Sequence, residues 1–489
     1  MSWLSNIDKK QLALHVFFIC LVGVVSAFTS IVLCICVNTS YRLNQEYSWL
    51  VFLLPVLGIV TLAFYKAMKL SYFYSTDDMV MEMRENKPVS PTLAPAILVG
   101  TCLSTLGGGA VGKESSAFQM GASIGETLSR AFKLKNVFKD KQDRNVYGYA
   151  ALMGMSATFS ALFFAPLGAV FLVFELTHFK TFSPARFIAL LVSAFIAASI
   201  AYPFGIGDII PRVAVPGVTP DLMLQVVLIG TLGGILGRFF GASLAAVRAW
   251  ERKRLNHPYL SVFVVGIGIT ILVVAFGLQS FEGGGMNLLK QAASGSIGTW
   301  DFAIKAGLVF LALGSGFKGG EIMPTLVIGG LLGCSLGQLI NVDPAFATAI
   351  GVMTFFAGMT RCPIAAFFLG FEVFGVEIIP FLAVSLIFAY GASHDSGYYG
   401  KGIRLNLHSA RRRQRLAKQF IENASDVDSA LAKLEEQANE FATEKEQAAR
   451  KEAQSNAQAS DPTSKPPNDA ASHSCSFAAC PKMVPVEYL

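Results

Sequence analysis

Apolar residues fall in long blocks along this chain: Leu12 to Val37, Trp49 to Tyr65, Ala94 to Val111, Phe187 to Tyr202, Leu222 to Val247 and Pro363 to Tyr390. Each block approaches or exceeds the roughly 20 residues that cross a hydrocarbon core as a helix. Lipid offers the backbone no hydrogen-bond partner, so the blocks predict helices that satisfy their own N–H and C=O groups. A transmembrane barrel would need alternating segments of about ten residues, and none is present. Lys9 and Lys10 ahead of the first block imitate a secretory leader. That block is too long for one and no small-residue cleavage site closes it, so it reads as a retained helix.

From Arg404 the pattern changes, which divides the chain into a membrane body, 1–403, and a polar tail, 404–489. The tail opens with a basic patch suited to anionic headgroups. A stretch rich in Ala, Glu, Lys and Gln then runs to about Ala457, with Leu416, Phe420, Leu431, Leu434 and Phe441 as scattered apolar residues. From SDPTSKPPNDAASHS onward the composition is that of a disordered segment.

The body repeats itself. GMSATFSALFFAPLGAVFLVFELT begins at Gly154 and GVMTFFAGMTRCPIAAFFLGFEVF at Gly351. Gly154, Pro166 and Glu175 have the same spacing as Gly351, Pro363 and Glu372. Upstream, Gly112, Gly121 and Gly125 match Gly320, Gly329 and Gly333. The halves so defined cover about 48–205 and 222–403. Two halves with Gly/Pro-broken apolar segments at matching positions point to a transporter. Broken helices aim N-terminal ends, each carrying roughly half a positive charge, at the membrane interior, where backbone N–H groups bind anions. For Gly121, Gly125, Gly329 and Gly333 close helix packing is an equal explanation.

Composition narrows the class further. Of 489 residues 53% are apolar and 15% charged, against about 25% charged in soluble domains. Basic residues cluster at Lys9–Lys10, at Lys133 to Arg144, at Arg248 and Arg252 to Arg254, and at Arg411 to Lys418. The positive-inside rule puts all four clusters, and with them both termini, in the cytoplasm. The net charge of +6 then needs no nucleic acid. Six of the eight cysteines lie in or beside apolar blocks as small packing residues. Cys475 and Cys480 lack histidines at zinc spacing, so neither a metal nor a cofactor is expected. The histidines supply no hydrolase constellation in the apolar segments.

One stretch carries chemistry. GGGAVGKESS, 107 to 116, is nearly a P-loop, with Gly107, Gly112 and Lys113 in register. Where that loop has a Mg²⁺-binding hydroxyl, this chain has Glu114, whose charge would repel the phosphates. No other nucleotide-site element follows. An ionisable residue in such a segment is functional by default. Burial favours its neutral form, and a helix N-terminus with Lys113 favours the charged one. A carboxyl balanced between the two exchanges a proton and competes with an anion for one site.

These residues resemble the CLC family of anion channels and anion/proton antiporters. Gly112-Lys113-Glu114-Ser115-Ser116 matches its G-[KR]-E-x-x motif, and Gly320 to Leu326 its G-x-F-x-P-x-L motif, with Ile322 for Phe. The Ala-Pro-Leu-Gly segment that runs on to Phe174-Glu175 is also similar. The likeness covers roughly 10 to 400. It implies an all-α polytopic fold with a two-fold inverted repeat and broken helices, a homodimer with one pathway per subunit, and a cell-membrane location. Three departures are similar to the fluoride-exporting branch, CLC-F. Tyr74-Ser75-Thr76-Asp77-Asp78-Met79 stands where G-S-G-I-P and its chloride-coordinating serine are expected. Leu176 stands at a proton-glutamate position. Gly314-Ser315-Gly316-Phe317-Lys318-Gly319-Gly320-Glu321 has that branch's form. Met323 departs in turn from the branch, which usually has threonine there.

The resemblance implies fluoride/proton antiport, with a chloride channel or chloride/proton antiporter as the alternative. Glu114 is then gate and proton carrier. Glu321 is either a proton relay or a helix N-cap. The anion lies against Lys113 and the backbone of Gly112, Gly320, Ile322 and Met323. Tyr398 is the favoured inner-gate tyrosine, with Tyr399 as its rival. Glu175 and Glu372, near helix ends in both halves, read as structural more than transporting.

Overall fold

The computed structural model describes residues 9–85, 87–132, 149–177, 182–207, 213–254, 257–393 and 396–401. The basic cluster at Lys133 to Arg144 and the whole tail, including Arg411 to Lys418, lie outside these residues. The described residues belong to a unit spanning Met1–Arg404.

Among the described residues the structure is all-helical apart from one pair of two-residue strands, and six helices are long and apolar enough to cross a membrane. Ahead of the first half stands α1 (Lys9–Glu46), and within that half α2 (Leu54–Ala67, with a 3₁₀ turn over Ser48–Leu53) and α8 (Pro184–Ala201). Between them stand α3 (Thr76–Arg84), α4 (Leu93–Leu106), α5 (Glu114–Ala131), α6 (Tyr149–Phe163) and α7 (Pro166–Leu176). The second half opens on two spans, α9 (Pro220–Arg254) and α10 (Pro258–Phe276). After α11 (Met286–Ala293) and α12 (Asp301–Gly314) comes a third span, α13 (Ile322–Leu339). Last are α14 (Pro344–Thr360), α15 (Pro363–Phe374) and α16 (Ile379–Ala392), with strands β1 (Ser396–Gly397) and β2 (Gly400–Lys401). Helices α4, α6, α7, α14, α15 and α16 are apolar but fall short of spanning length, as broken helices must.

Two blocks that read as single helices are broken. The Ala94 to Val111 block stops at Leu106, where the chain turns through Gly108 at φ +80°. The Pro363 to Tyr390 block divides at Gly375, whose φ of +109° no L-residue adopts cheaply. Conversely, α10 and α13 are spans that the apolar blocks above do not include.

The repeat is physical. Gly121 faces the Gly154 carbonyl, and Gly125 that of Ala150, where α5 crosses α6. Gly329 and Gly333 meet Gly351 and Ala347 where α13 crosses α14. A side chain at these four positions would run into backbone, so close packing is what these glycines provide. Glu175, at the end of α7, accepts hydrogen bonds from the amides of Ile364 (3.2 Å) and Ala365 (2.6 Å), which begin α15. Glu372, on α15, accepts from Leu167 (3.0 Å) and Gly168 (2.8 Å), which begin α7. Each half thus caps the other at equivalent atoms, with carboxylates on the orphan donors of a helix start. Glu175→Ala leaves two N–H groups near the buried end of α15 without an acceptor. It should lower stability by about 1–3 kcal/mol, read as a drop in the unfolding temperature of the purified protein in detergent. Glu175→Gln, which keeps one acceptor, should lose less.

Candidate functional site

The two-fold relation passes through one backbone contact. Gly112 N–H donates to the Gly320 carbonyl at 2.8 Å and Gly320 N–H to the Gly112 carbonyl at 2.6 Å. The two glycine-rich segments therefore meet antiparallel at the centre, each about to enter a helix. Lys113 is the N-cap of α5 and Glu114 its first residue; Glu321 is the N-cap of α13. The helix starts thus bring two carboxylates, 1% and 0% exposed, to either side of one glycine bridge.

Glu114 lines a cavity of about 80 Å³ together with Asn38, Tyr41, Gly112, Lys113 and Met323. Lys113 donates to Asn38 Oδ1 on α1 at 3.2 Å, which holds its charge at the rim of that cavity. Glu114 Oε2 lies so close to the Gly112 Cα that a side chain there would collide with it. The glycine is what lets the carboxylate approach the bridge.

Glu321 is committed differently. Its carboxylate makes no cap bond to α13. Oε1 accepts from the Tyr399 hydroxyl, and Oε2 faces the Thr76 hydroxyl at 3.4 Å. Gln119 Nε2 in turn donates to Thr76 Oγ1 at 3.0 Å. The capping is done by Ser115, whose hydroxyl oxygen accepts from the amides of Glu321 (3.1 Å) and Ile322 (3.2 Å). Of the backbone groups expected around an anion, the amides of Gly112, Gly320 and Ile322 therefore donate to protein oxygens in this structure.

The tyrosine pair divides its work. Tyr399 engages Glu321, while the Tyr398 hydroxyl is buried and meets no hydrogen-bond partner among the described residues. The Arg248 guanidinium stands 5.3 Å from the Tyr398 ring centre, and Tyr398 N–H donates to the Met359 carbonyl at 2.8 Å. Arg84, in the last turn of α3, fixes the hairpin by donating to the carbonyls of Leu176 and Tyr399, both at 2.7 Å.

The structure gathers Gly112, Lys113, Glu114 and Met323 on one side of the bridge, and Glu321 with Tyr399 on the other. Thr76, Ser115 and Gln119 are polar neighbours that the residue-by-residue reading passed over. A signal for Thr76 was present, because Ser75-Thr76-Asp77-Asp78 carries the Ser-x-x-acid pattern of a helix start. Ser75 and Asp78 do form that capping box, and it delivers Thr76 to Glu321.

Broken helices meeting end to end about buried carboxylates, among six helices of spanning length, have the form of a polytopic membrane protein. The comparisons identify which one. A family model described as voltage gated chloride channel matches residues 77–394. The chain belongs to that family, the CLC family of anion channels and transporters. A chloride/fluoride channel protein of Pseudomonas syringae pv. tomato is 26% identical over 393 residues, 78% of this chain and 84% of its own. An H(+)/Cl(−) exchange transporter, ClcA, of Vibrio cholerae is 26% identical over 310 residues, 58% of this chain and 63% of its own. A solved CLC-type fluoride/proton antiporter superimposes with a TM-score of 0.73 at 24% identity, covering 81% of this chain and 98% of that one. A slow cyanobacterial Cl⁻/H⁺ antiporter gives 0.66 at 23%, covering 85% and 100%. At such identities the two structures establish the fold.

Proposed function

We propose that the protein is a fluoride/proton antiporter that exports fluoride across the cell membrane, with both termini cytoplasmic and one pathway in each subunit of a homodimer. The observation that carries this reading is the pair of buried carboxylates, Glu114 and Glu321, at two helix starts joined by the Gly112–Gly320 bridge. A channel needs a path for the anion alone. Intramembrane carboxyls mark ion or proton paths by default, and Glu321, unlike Glu175 and Glu372, makes no cap bond to a helix start that would give it a structural role.

In this reading Glu114, when ionised, occupies the place an anion would take beside Gly112 and Lys113. When protonated it withdraws and leaves that place to the ion. Glu321 takes the proton on the far side, with Tyr399 donating to it, and Tyr398 presents a buried hydroxyl to the inner mouth of the pathway. Fluoride, small and strongly hydrated, needs close donors to replace its water, and opposed helix starts supply them. The relative described as a chloride/fluoride channel protein supports the choice of anion. Met323 favours a second reading, chloride/proton antiport, because a buried thioether at this cavity offers a small anion no donor.

Purified protein in liposomes, with fluoride efflux, chloride efflux and proton uptake measured together, decides both questions. Fluoride efflux driving proton uptake is expected. Anion movement without protons would make the protein a channel. The same preparation tests the tail: a chain ending after residue 419, which keeps the basic patch from Arg411 to Lys418, should transport at the full-length rate. A correctly inserted truncation without flux would give the tail a part in regulation or assembly.

A further inference from the structure

A second cavity, of about 20 Å³, lies toward the end of α9, with Ser75, Gln119, Arg248, Glu251 and Lys318 among its walls. Two of these side chains bring buried acceptor oxygens, Glu251 Oε1 and Gln119 Oε1, that meet no donor among the described residues. Glu251 is 4% exposed and Gln119 1%. Buried acceptors are ordinarily satisfied, by protein or by water. A space this size admits a single water, which takes about 10–15 Å³ by this measure.

The surrounding charges do not occupy Glu251. On α3, Asp77 pairs with Arg248 at 3.3 Å, and Asp78 takes Arg252 at 2.6 and 2.8 Å. Lys318 donates to the carbonyls of Tyr72 and Tyr74 at 2.6 and 3.0 Å and sits over the Tyr65 ring. Lys318, Arg248 and Arg252 all act on Glu251 electrostatically, so three cations face three carboxylates. Glu251 is the carboxylate of the three that, among the described residues, is in no salt bridge. Tyr74 flanks the cavity, and the ring of Tyr398 lies against Arg248. Beyond Gln119, the Thr76 hydroxyl links the cavity wall to Glu321.

We infer that Glu251 is a third proton-transfer site, exchanging one proton with Glu321 across Gln119 and Thr76. The inference rests on the antiport reading and extends its proton path toward the face that carries Arg252. With Glu321 ionised, the chain runs as observed: Gln119 donates to Thr76, Thr76 donates to Glu321, and the Gln119 oxygen faces the cavity. There it accepts from a protonated Glu251 or from a water held between the two oxygens. With Glu321 protonated, every bond reverses. Glu321 donates to Thr76, Thr76 to the Gln119 oxygen, and the amide nitrogen turns to an ionised Glu251. The Glu251 O–H breaks as its proton bonds to Gln119 Oε1, one Gln119 N–H proton passes to Thr76 Oγ1 and the Thr76 O–H proton passes to Glu321. Gln119, left as the imidic acid, returns to the amide as the cavity water carries the Oε1 proton to its nitrogen. The pair keeps its total charge, and solvent reloads Glu251.

The test is the ratio of protons to anions moved by the full chain in liposomes, measured from pH 5 to 8, a range that covers the titration of buried carboxyls. Glu251→Gln should lower the ratio by about 100-fold, the usual effect of removing a positioned proton-transfer group. Glu251→Asp keeps a titratable oxygen, so it should restore the ratio with a displaced pH profile, which a merely structural role would not produce. Gln119→Leu, which removes the second acceptor, should also lower the ratio and serves if Glu251→Gln does not insert. A wild-type ratio and pH profile in Glu251→Gln, or in Gln119→Leu in its place, overturns the inference and leaves the antiport reading standing. A wild type that moves no protons overturns both.

Discussion

Glu114→Gln should abolish proton movement, a loss of about 100-fold or more. The substitution is nearly isosteric, so the packing of α5 at the Gly112–Gly320 bridge is retained while the side chain stays permanently neutral. Glu114 is 1% exposed and lies at the first residue of its helix. There the helix start favours an ionised carboxylate and burial opposes it. The amide removes the titration and keeps the shape. Anion flux in the same vesicles reports a separate property. Flux that continues shows the neutral side chain leaving the pathway to the ion, and flux that falls sharply shows that the carboxylate must re-enter the site to complete a cycle. Proton uptake that survives unchanged, with its pH dependence, would remove Glu114 from the role.

The measurement isolates Glu114 because the two carboxylates are held apart by what they touch. Glu321 is bonded to Tyr399 and Thr76 on one side of the bridge; Glu114 faces the cavity of Lys113 and Asn38 on the other. In the antiport reading, a proton crossing the protein therefore changes hosts. Loss of the first host should stop the current even with the second intact.

Much of this was legible in the chain. Apolar blocks announce spanning helices because lipid forces the backbone to satisfy itself. Paired spacings of Gly, Pro and Glu reveal a duplication because equivalent contacts need equivalent residues. Gly121 and Gly154 are small since one backbone rests on the other, and Glu175 and Glu372 are acidic since each caps the opposite half. What stayed hidden was the pairing of residues far apart in the chain. Nothing local says that Ser115 caps α13, 206 residues away, or that Tyr399 rather than its neighbour reaches Glu321. Adjacent residues in a two-residue turn point in different directions, and only the fold decides which one meets a buried partner. Helix ends were hidden for a related reason. Gly375 breaks an otherwise apolar block through its backbone angle, which hydrophobicity does not register.

Met323→Thr should shift anion preference toward fluoride. Met323 is 2% exposed, sits in the first turn of α13 and shares the Glu114 cavity. Its Cβ would stand 2.9 Å from a side chain placed on Gly112, so it flanks the bridge itself. A thioether accepts weakly and donates nothing, whereas a threonine hydroxyl at this position can donate to an anion beside the helix start. A hydrogen bond to a charged group contributes about 1.5–3 kcal/mol, less the cost of desolvating the hydroxyl. The net expectation is a change of about tenfold in the ratio of fluoride to chloride efflux. The amides of Gly320 and Ile322 already donate to Gly112 and Ser115. An added side-chain donor therefore enters a site whose backbone donors are partly taken, and fluoride, with the higher charge density, gains more from it than chloride. The two efflux rates, measured under identical gradients for wild type and variant, give the answer. A wild type that strongly prefers fluoride, unchanged by Met323→Thr, would mean that the backbone sets selectivity without this side chain.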